Sequence, residues 1–288
     1  MPAAWRATHR KTKEVVLMVR TRFAPSPTGF LHLGNAWAFL LAWLACRSKG
    51  GSLVLRMEDI DPDRSRAEYA DAIIRDLRWL GLDWDEGPDV GGPAGPYTQS
   101  ARMELYADAL NRLDRAGHTY PCYCTRKELR TLAGAPHVGD AGAAYPGTCR
   151  NLPPERRAEL EASGRRPCIR LHCPSQSYVF EDAVFGPFRM TLEACGGDFA
   201  LRRSDGVIAY QLAVVVDDGL MGITQVVRGE DLLVSTPRQL ALFDLLGYPR
   251  PAYMHLPLLC DPEGERLAKR HASLTLASLR DAGVSPAA

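Results

Sequence analysis

Apolar residues in this chain come in blocks separated by Pro- and Gly-rich turns. Residues 15–19 are apolar and β-branched, which suits a strand, and residues 36–46 form an apolar segment of helical length. Gly50 and Gly51 close that helix, and residues 52–57 read as a second strand. Residues 65–80 place Tyr69, Ile73, Leu77 and Leu80 at helical spacing with polar residues between them. Strand, helix, strand, helix with short joints predicts a βαβα unit on a parallel sheet. Residues 84–97 are Gly/Pro-rich and read as loop, and residues 99–116 as an amphipathic helix ended by Gly117.

From residue 118 to about 201 the apolar runs shorten and Gly, Pro and Arg become frequent, as in an insertion that splits the sheet. The Arg156-Arg157 and Arg165-Arg166 pairs there could touch phosphate or simply be solvated surface. Residues 207–216 return to a continuous apolar run that fits a buried parallel strand. Segments 226–230, 235–246 and 255–260 then read as strand, helix and strand. The expected organisation is a disordered tail at 1–18, a first half of the α/β domain at 19–117, an insertion at 118–201, a second half at 202–271 and a tail at 272–288.

Composition narrows this only slightly. A chain of 288 residues with a net charge of +1 has ample core but no global basicity, so a nucleic-acid ligand would need a local basic face. No apolar run is long enough to span a membrane. The eight cysteines, without a secretory signal, point to reduced thiols in a cytoplasm. Residues 1–13 are basic and read as a tail, with Met18 an alternative start.

Candidate chemistry concentrates at residues 21–35. Pro25 and Pro27 stiffen the turn, Gly29 and Gly34 allow close backbone approach, and a helix starting near His32 aims its unpaired N–H groups into the turn. That is a site for a phosphate, with His32 an added donor; a plain strand–helix corner capped by histidine is the alternative. Glu58-Asp59-Ile60-Asp61 comes after the second strand, where open α/β sheets bind ligands, although such a turn can also just cap a helix. Arg22 and Arg228 each sit at the end of an apolar strand, as binders of a carboxylate or as partners of Glu58, Asp217 or Glu230. Cys122, Cys124 and Cys149 favour a structural Zn²⁺. From the residues alone its fourth ligand is open among His137, Cys168, Cys173 and Tyr145.

Arg22-Phe23-Ala24-Pro25-Ser26-Pro27-Thr28-Gly29 followed by His32-Leu33-Gly34-Asn35 resembles the first signature of glutamyl-tRNA synthetases and their short paralogues, which are class I aminoacyl-tRNA synthetases. The resemblance implies an α/β fold with a Rossmann-type parallel sheet that makes an aminoacyl-adenylate from ATP with Mg²⁺. It assigns glutamate to Arg22, Ala24, Ser26, Glu58, Tyr210 and Arg228. It assigns ATP to Pro25, Thr28, Gly29, His32, Gly34, Asn35, Arg266 and Lys269, with His32 and Lys269 catalytic. Arg266-Leu267-Ala268-Lys269-Arg270 matches the family's Lys-x-Ser-Lys signature in part, since Arg266 and Ala268 replace its first Lys and its Ser.

Cys122-x-Cys124, then Tyr145-x-x-x-Cys149, is similar to the zinc site of the short paralogues, the glutamyl-Q tRNA(Asp) synthetases, and favours Tyr145 as fourth ligand. In that family the inserted, zinc-bearing segment resembles an acceptor-end-binding subdomain. The chain stops eighteen residues after Arg270, so no anticodon-binding domain is expected. The resemblance implies glutamate activation without tRNA and transfer to the queuosine base of tRNA(Asp), by a monomeric, cytoplasmic enzyme. The alternatives are a truncated synthetase charging tRNA(Glu) and a non-catalytic tRNA-binding paralogue.

Overall fold

The computed structural model describes residues 18–125, 127–129, 145–260 and 275–287. The segments carrying Arg266, Lys269 and His137, and the N-terminal residues 1–17, lie outside the described residues.

Strands β1 (Arg20–Phe23) and β2 (Ser52–Leu55) pair in parallel, Arg22 opposite Val54. Helix α1 (Leu33–Arg47) joins them, and α2 (Ala67–Trp79) comes next, as the alternation predicts. Among the described residues the first strand begins at Arg20, after Met18 and Val19. The signature's Arg22 and Phe23 therefore belong to the strand, and the turn begins at Ala24.

The second half-sheet contains β8 (Gln225–Gly229) parallel to β9 (Ala252–Leu256). The halves meet along β1 and β8: the Thr224 amide donates to the Arg20 carbonyl at 2.9 Å, and the Thr21 hydroxyl to the Gln225 carbonyl at 2.9 Å. β9 also pairs in parallel with β5 (Ser177–Asp182), whose hairpin partner β6 (Gly186–Thr191) forms an antiparallel edge. Sheet order is thus β2-β1-β8-β9-β5-β6. Part of the segment read as an insertion completes the main sheet. Other described strands of it form a separate antiparallel sheet of β3 (Thr119–Cys122), β4 (Cys168–Leu171) and β7 (Ala200–Arg202).

The run at 207–216 is not a strand. It is mostly helix, α5 (Tyr210–Leu220), after α3 (Met103–Arg115) and α4 (Pro154–Ala162) in chain order. Every residue of α5 from Leu212 to Asp218 is buried, so its sequence shows an unbroken apolar run where an amphipathic helix would show a period. Three successive valines added a strand-like bias that burial overrode. Helix α6 (Thr236–Leu246) appears within a residue of its expected start, whereas β9 lies three residues before its expected place. The expected C-terminal tail contains a short helix, α7 (Leu276–Asp281), which buries Leu276 and ties Arg280 to the buried Asp76 of α2. Three of the four insertion arginines are spent locally: Arg156 pairs with Glu159, Arg157 donates to the Leu152 carbonyl, and Arg165 pairs with Glu128.

Candidate active site

The carboxyl ends of β1, β2 and β8 open onto a cavity of about 800 Å³. Strands in a parallel sheet leave their last carbonyls and the next amides there, and the crossover helices begin there, which makes this edge the polar end of an apolar layer. Arg22, Ala24, Pro25, Ser26, Thr28 and Gly29 line one side, from β1 and its turn. Glu58 reaches in after β2, Arg228 from β8, and Tyr210 from the first turn of α5. The apolar run had suggested a strand for Tyr210; the helix start brings it to the same cleft.

His32 is the N-cap of α1. Its Nδ1 accepts from the Gly34 amide at 3.1 Å, and the Asn35 side chain accepts from the His32 amide at 3.1 Å. Because Nδ1 is an acceptor, the ring proton sits on Nε2. His32, Gly34 and Asn35 line a second cavity of about 190 Å³. It adjoins the first: Asn35, Ala38, Gly229, Asp231 and Leu232 border both. Gly229 is required for this junction. A Cβ there would fall 2.5 Å from the Asp231 carboxylate and 3.1 Å from Leu258. Gly229, Asp231 and Leu232 were not singled out from the sequence; a Gly between a strand and two acidic residues was the available signal.

Behind the cavity wall lies a buried charge network that the sequence reveals only in part. Fully buried Arg56 donates to Glu58 at 3.0 Å and to Asp218 at 2.7 Å, with Asp217 at 3.5 Å. Arg22 pairs with Asp218 at 3.2 Å, not with Glu58. Asp217 also takes Arg102 at 2.6 Å, the Gln99 amide and the Tyr106 hydroxyl. Burial pushes the Glu58 carboxyl above its usual range, against the pull of Arg56 and Arg22. Burial acts the same way on Asp218, but Arg22 and Arg56 prevail and hold it below that range. Burial is the main cause of the raised Tyr210 phenol, which Arg228 partly offsets. Asp217 and Asp218 were legible as two acids ending an apolar run. Arg56 was visible inside a strand but received no role.

Arg228 differs from the other buried arginines. Its Nε donates to His255 Nε2 at 3.1 Å, Nη1 to Gln239 Oε1 at 2.7 Å, and Nη2 to Thr236 Oγ1 at 2.8 Å and the Leu232 carbonyl at 3.3 Å. Among the described residues all of these acceptors are neutral. None of the carboxylates expected as its partner pairs with it.

At the end of β3, far from the cleft in chain topology, Cys122, Cys124 and Cys149 bring their sulfurs within 4.8 Å of one another. The Tyr145 oxygen lies 3.3 Å from the Cys122 sulfur and 3.9 Å from that of Cys124, and accepts from the Cys149 amide at 2.8 Å. The Cys124 and Cys149 sulfurs are 3.5 Å apart. Tetrahedral Zn²⁺ with bonds of about 2.3 Å would set sulfurs about 3.8 Å apart. The four donors therefore fit zinc with little movement. Cys168 stands opposite Cys122 across the β3–β4 pair, but neither it nor Cys173 belongs to this cluster among the described residues.

Residues 18–288 match the family described as tRNA synthetases class I (E and Q), catalytic domain. The chain is 68% identical to a Glutamyl-Q tRNA(Asp) synthetase of Nitratidesulfovibrio vulgaris, over 94% of this chain and 83% of that protein. It is 59% identical to a protein of the same name from Symbiobacterium thermophilum, over 93% and 83% respectively. A Glutamate--tRNA ligase of Sulfurihydrogenibium sp. is 44% identical over 92% of this chain and 55% of its own length. Among solved structures, a glutamate tRNA ligase from Elizabethkingia meningosepticum in complex with its amino acid matches with a TM-score of 0.77 at 32% identity. That match covers 89% of this chain and 53% of the other, so the chain spans about half the length of that structure.

Proposed function

The chain belongs to the catalytic-domain family of class I tRNA synthetases (E and Q), and from that premise we propose that it activates L-glutamate with ATP and transfers it to the queuosine base of tRNA(Asp). The observation that carries the glutamate assignment is a guanidinium whose acceptors are all neutral, Arg228, lining one cavity together with the carboxyl of Glu58. Arg228 is a buried cation held by neutral groups, so a substrate carboxylate supplies its missing anion. Glu58 is a buried anion at the cavity wall, suited to an ammonium group. An amino acid with an acidic side chain fits both. Arg22 offers a second guanidinium for a carboxylate, and Tyr210 a hydroxyl. Ala24 and Ser26 complete the wall.

Adenylate formation needs no added base, because the attacking carboxylate is already an anion. One of its oxygens bonds to the α-phosphorus of ATP as the bond to the bridging oxygen breaks, and pyrophosphate leaves with Mg²⁺. Catalysis is then alignment plus neutralisation of the phosphate charge. The positive dipole end of α1 and the Nε2–H of His32 serve that purpose, with Pro25, Thr28, Gly29, Gly34 and Asn35 shaping the nucleotide site. We assign Lys269 to the pentavalent phosphate and Arg266 to the nucleotide beside it. Lys269→Ala is expected to lower the rate of glutamate-dependent pyrophosphate exchange more than glutamate affinity; a pure affinity effect would refute that role.

Queuosine transfer is supported by 68% and 59% identity to proteins carrying that activity in their names, over most of their length. Cys122, Cys124, Tyr145 and Cys149 would hold a structural Zn²⁺ that crosslinks β3 to the loop before α4. We place the enzyme in the cytoplasm as a monomer; no helix among the described residues is long and apolar enough to cross a membrane.

A second reading, charging of tRNA(Glu), draws on the 44% identical ligase. One experiment separates the two. Labelled glutamate is offered with tRNA(Asp) carrying queuosine, tRNA(Asp) lacking it, and tRNA(Glu), each with an intact 3′ end or with the terminal adenosine removed. Label only on queuosine-bearing tRNA(Asp), surviving removal of that adenosine, is the expected result. Label on tRNA(Glu) that disappears with the terminal adenosine would establish the second reading.

A further inference from the structure

Arg228 is held from behind by a chain of side chains that does not border the cavity. His255 is fully buried on β9, and Asp182 is buried at the end of β5, the strand contributed by the segment read as an insertion. Asp182 accepts four N–H groups. Its Oδ1 takes the Val184 and Phe185 amides, each at 3.0 Å. Its Oδ2 takes the His255 amide at 3.0 Å and His255 Nδ1 at 2.6 Å. A carboxylate so surrounded stays ionised, and it fixes the His255 proton on Nδ1. The Nε2 lone pair then points at Arg228 Nε, 3.1 Å away.

A second chain fixes another corner. Gln239 donates from Nε2 to Gln211 Oε1 at 3.0 Å, and Gln211 donates to the Ser235 hydroxyl at 3.0 Å. That leaves the Gln239 oxygen, and not its nitrogen, facing Arg228. Four acceptors therefore meet a guanidinium that carries five N–H groups, and the fifth is left for the cavity.

We propose that Asp182 and His255 are positioning residues which set the orientation of the Arg228 guanidinium, and through it the affinity for the substrate carboxylate. The proposal rests on the reading of Arg228 as a carboxylate-binding group. The tautomer is what makes the relay work. A proton on Nε2 would set N–H against N–H and, in the imidazolium, cation against cation. The groups facing His255 are Asp182, Arg228, the Thr236 hydroxyl, the stacked Tyr253 ring and, at longer range, Asp231. Burial and the Arg228 charge drive its pKa down to about 4 despite Asp182. The neutral ring is thus the working form throughout the range in which the enzyme would act.

The test is glutamate-dependent ATP–pyrophosphate exchange with two variants of the full chain. His255→Asn keeps a donor near Asp182 and removes the acceptor for Arg228. His255→Gln restores an acceptor near the Nε2 position. His255→Asn is expected to raise KM for glutamate about 10- to 100-fold while KM for ATP stays within about twofold, because one acceptor of a charged donor is lost. His255→Gln should recover most of that loss. A merely structural role would shift both KM values together and track the melting temperature. An unmoved glutamate KM in His255→Asn, or no recovery in His255→Gln, overturns the relay while leaving glutamate activation intact. Absence of exchange in the unmutated protein overturns the functional reading and the relay with it. If the variants do not fold, imidazole ¹⁵N NMR of the unmutated protein decides: Nδ1–H with bare Nε2 from about pH 6 to 8 is expected, and any other form overturns the proposal.

Discussion

In the cleft, Arg22, Arg56 and Arg102 already face Glu58, Asp217 and Asp218 before any substrate arrives. At the β3 cluster, three thiols and a phenol face one another and one guanidinium, that of Arg170 over the Tyr145 ring at 4.0 Å. The cleft joins residues as far apart in sequence as Arg22 and Asp218, and its polar groups satisfy each other. The cluster is assembled from a strand end and one loop, and its four soft or weak donors gain little from their mutual contacts. A charge network of the first kind can hold shape without a ligand. A donor cluster of the second kind would obtain most of its stabilisation from an ion. Arg228 belongs to the cleft but shares the second character, since its own partners leave its charge without an adjacent anion.

The largest expected effect is therefore at Arg228. Arg228→Ala should lower kcat/KM for glutamate activation by about 100-fold or more in pyrophosphate exchange. Arg228→Lys should not restore it, since an ammonium cannot replace a fork held on three sides. Near-native activity in either variant would remove the distinction drawn for this residue.

Asp218→Asn should cost about 3–5 kcal/mol of stability in urea titration, because it leaves Arg22 and Arg56 short of a buried partner. In the unmutated protein the depressed Asp218 pKa contributes stability above the ordinary carboxylate pKa. That contribution is lost as pH falls through the folded value. A variant melting like the native chain would show the network to be dispensable.

Cys124→Ser, or prolonged chelation, should release zinc by elemental analysis and lower the melting temperature. Glutamate-dependent exchange should stay within about threefold of native at low temperature, since the cluster lies outside both cavities. Loss of exchange in proportion to zinc would erase the separation between the two regions.

Glu58→Gln should give the smallest change in stability despite loss of glutamate activation. The folded Glu58 pKa is raised, so the stability this group contributes is present at low pH and lost as pH rises through the folded value. Urea midpoints should therefore move in favour of the variant as pH rises through that folded value. The opposite trend would mean that the ionised Glu58–Arg56 pair stabilises the fold.

Much of this site could be read from the chain. The turn from Arg22 to Asn35 is local, and its prolines, glycines and capping histidine act within a few residues of one another. The Cys-x-Cys spacing is local as well. Tyr210 lines the cleft from a helix and not from the expected strand, because a helix buried on every side leaves no polar stripe to mark its period. The Asp182–His255–Arg228 chain and the Arg56 network were not legible. Each links strands that become neighbours only through sheet order, and a lone buried histidine or arginine carries no local pattern.

Local patterns in the chain already specify the parallel α/β architecture, the Pro/Gly turn capped by His32 and the thiol spacing, because these rest on short-range spacing and on side-chain chemistry; the cleft residues named in advance came from the family resemblance. The tertiary structure decided which charges neutralise one another. Asp218, not Glu58, answers Arg22, and Arg228 is left with neutral acceptors. The cause is that buried charges pair according to the distances set by packing, and packing brings β1, β2, α5 and β8 to one edge in an order that no local stretch of the chain encodes.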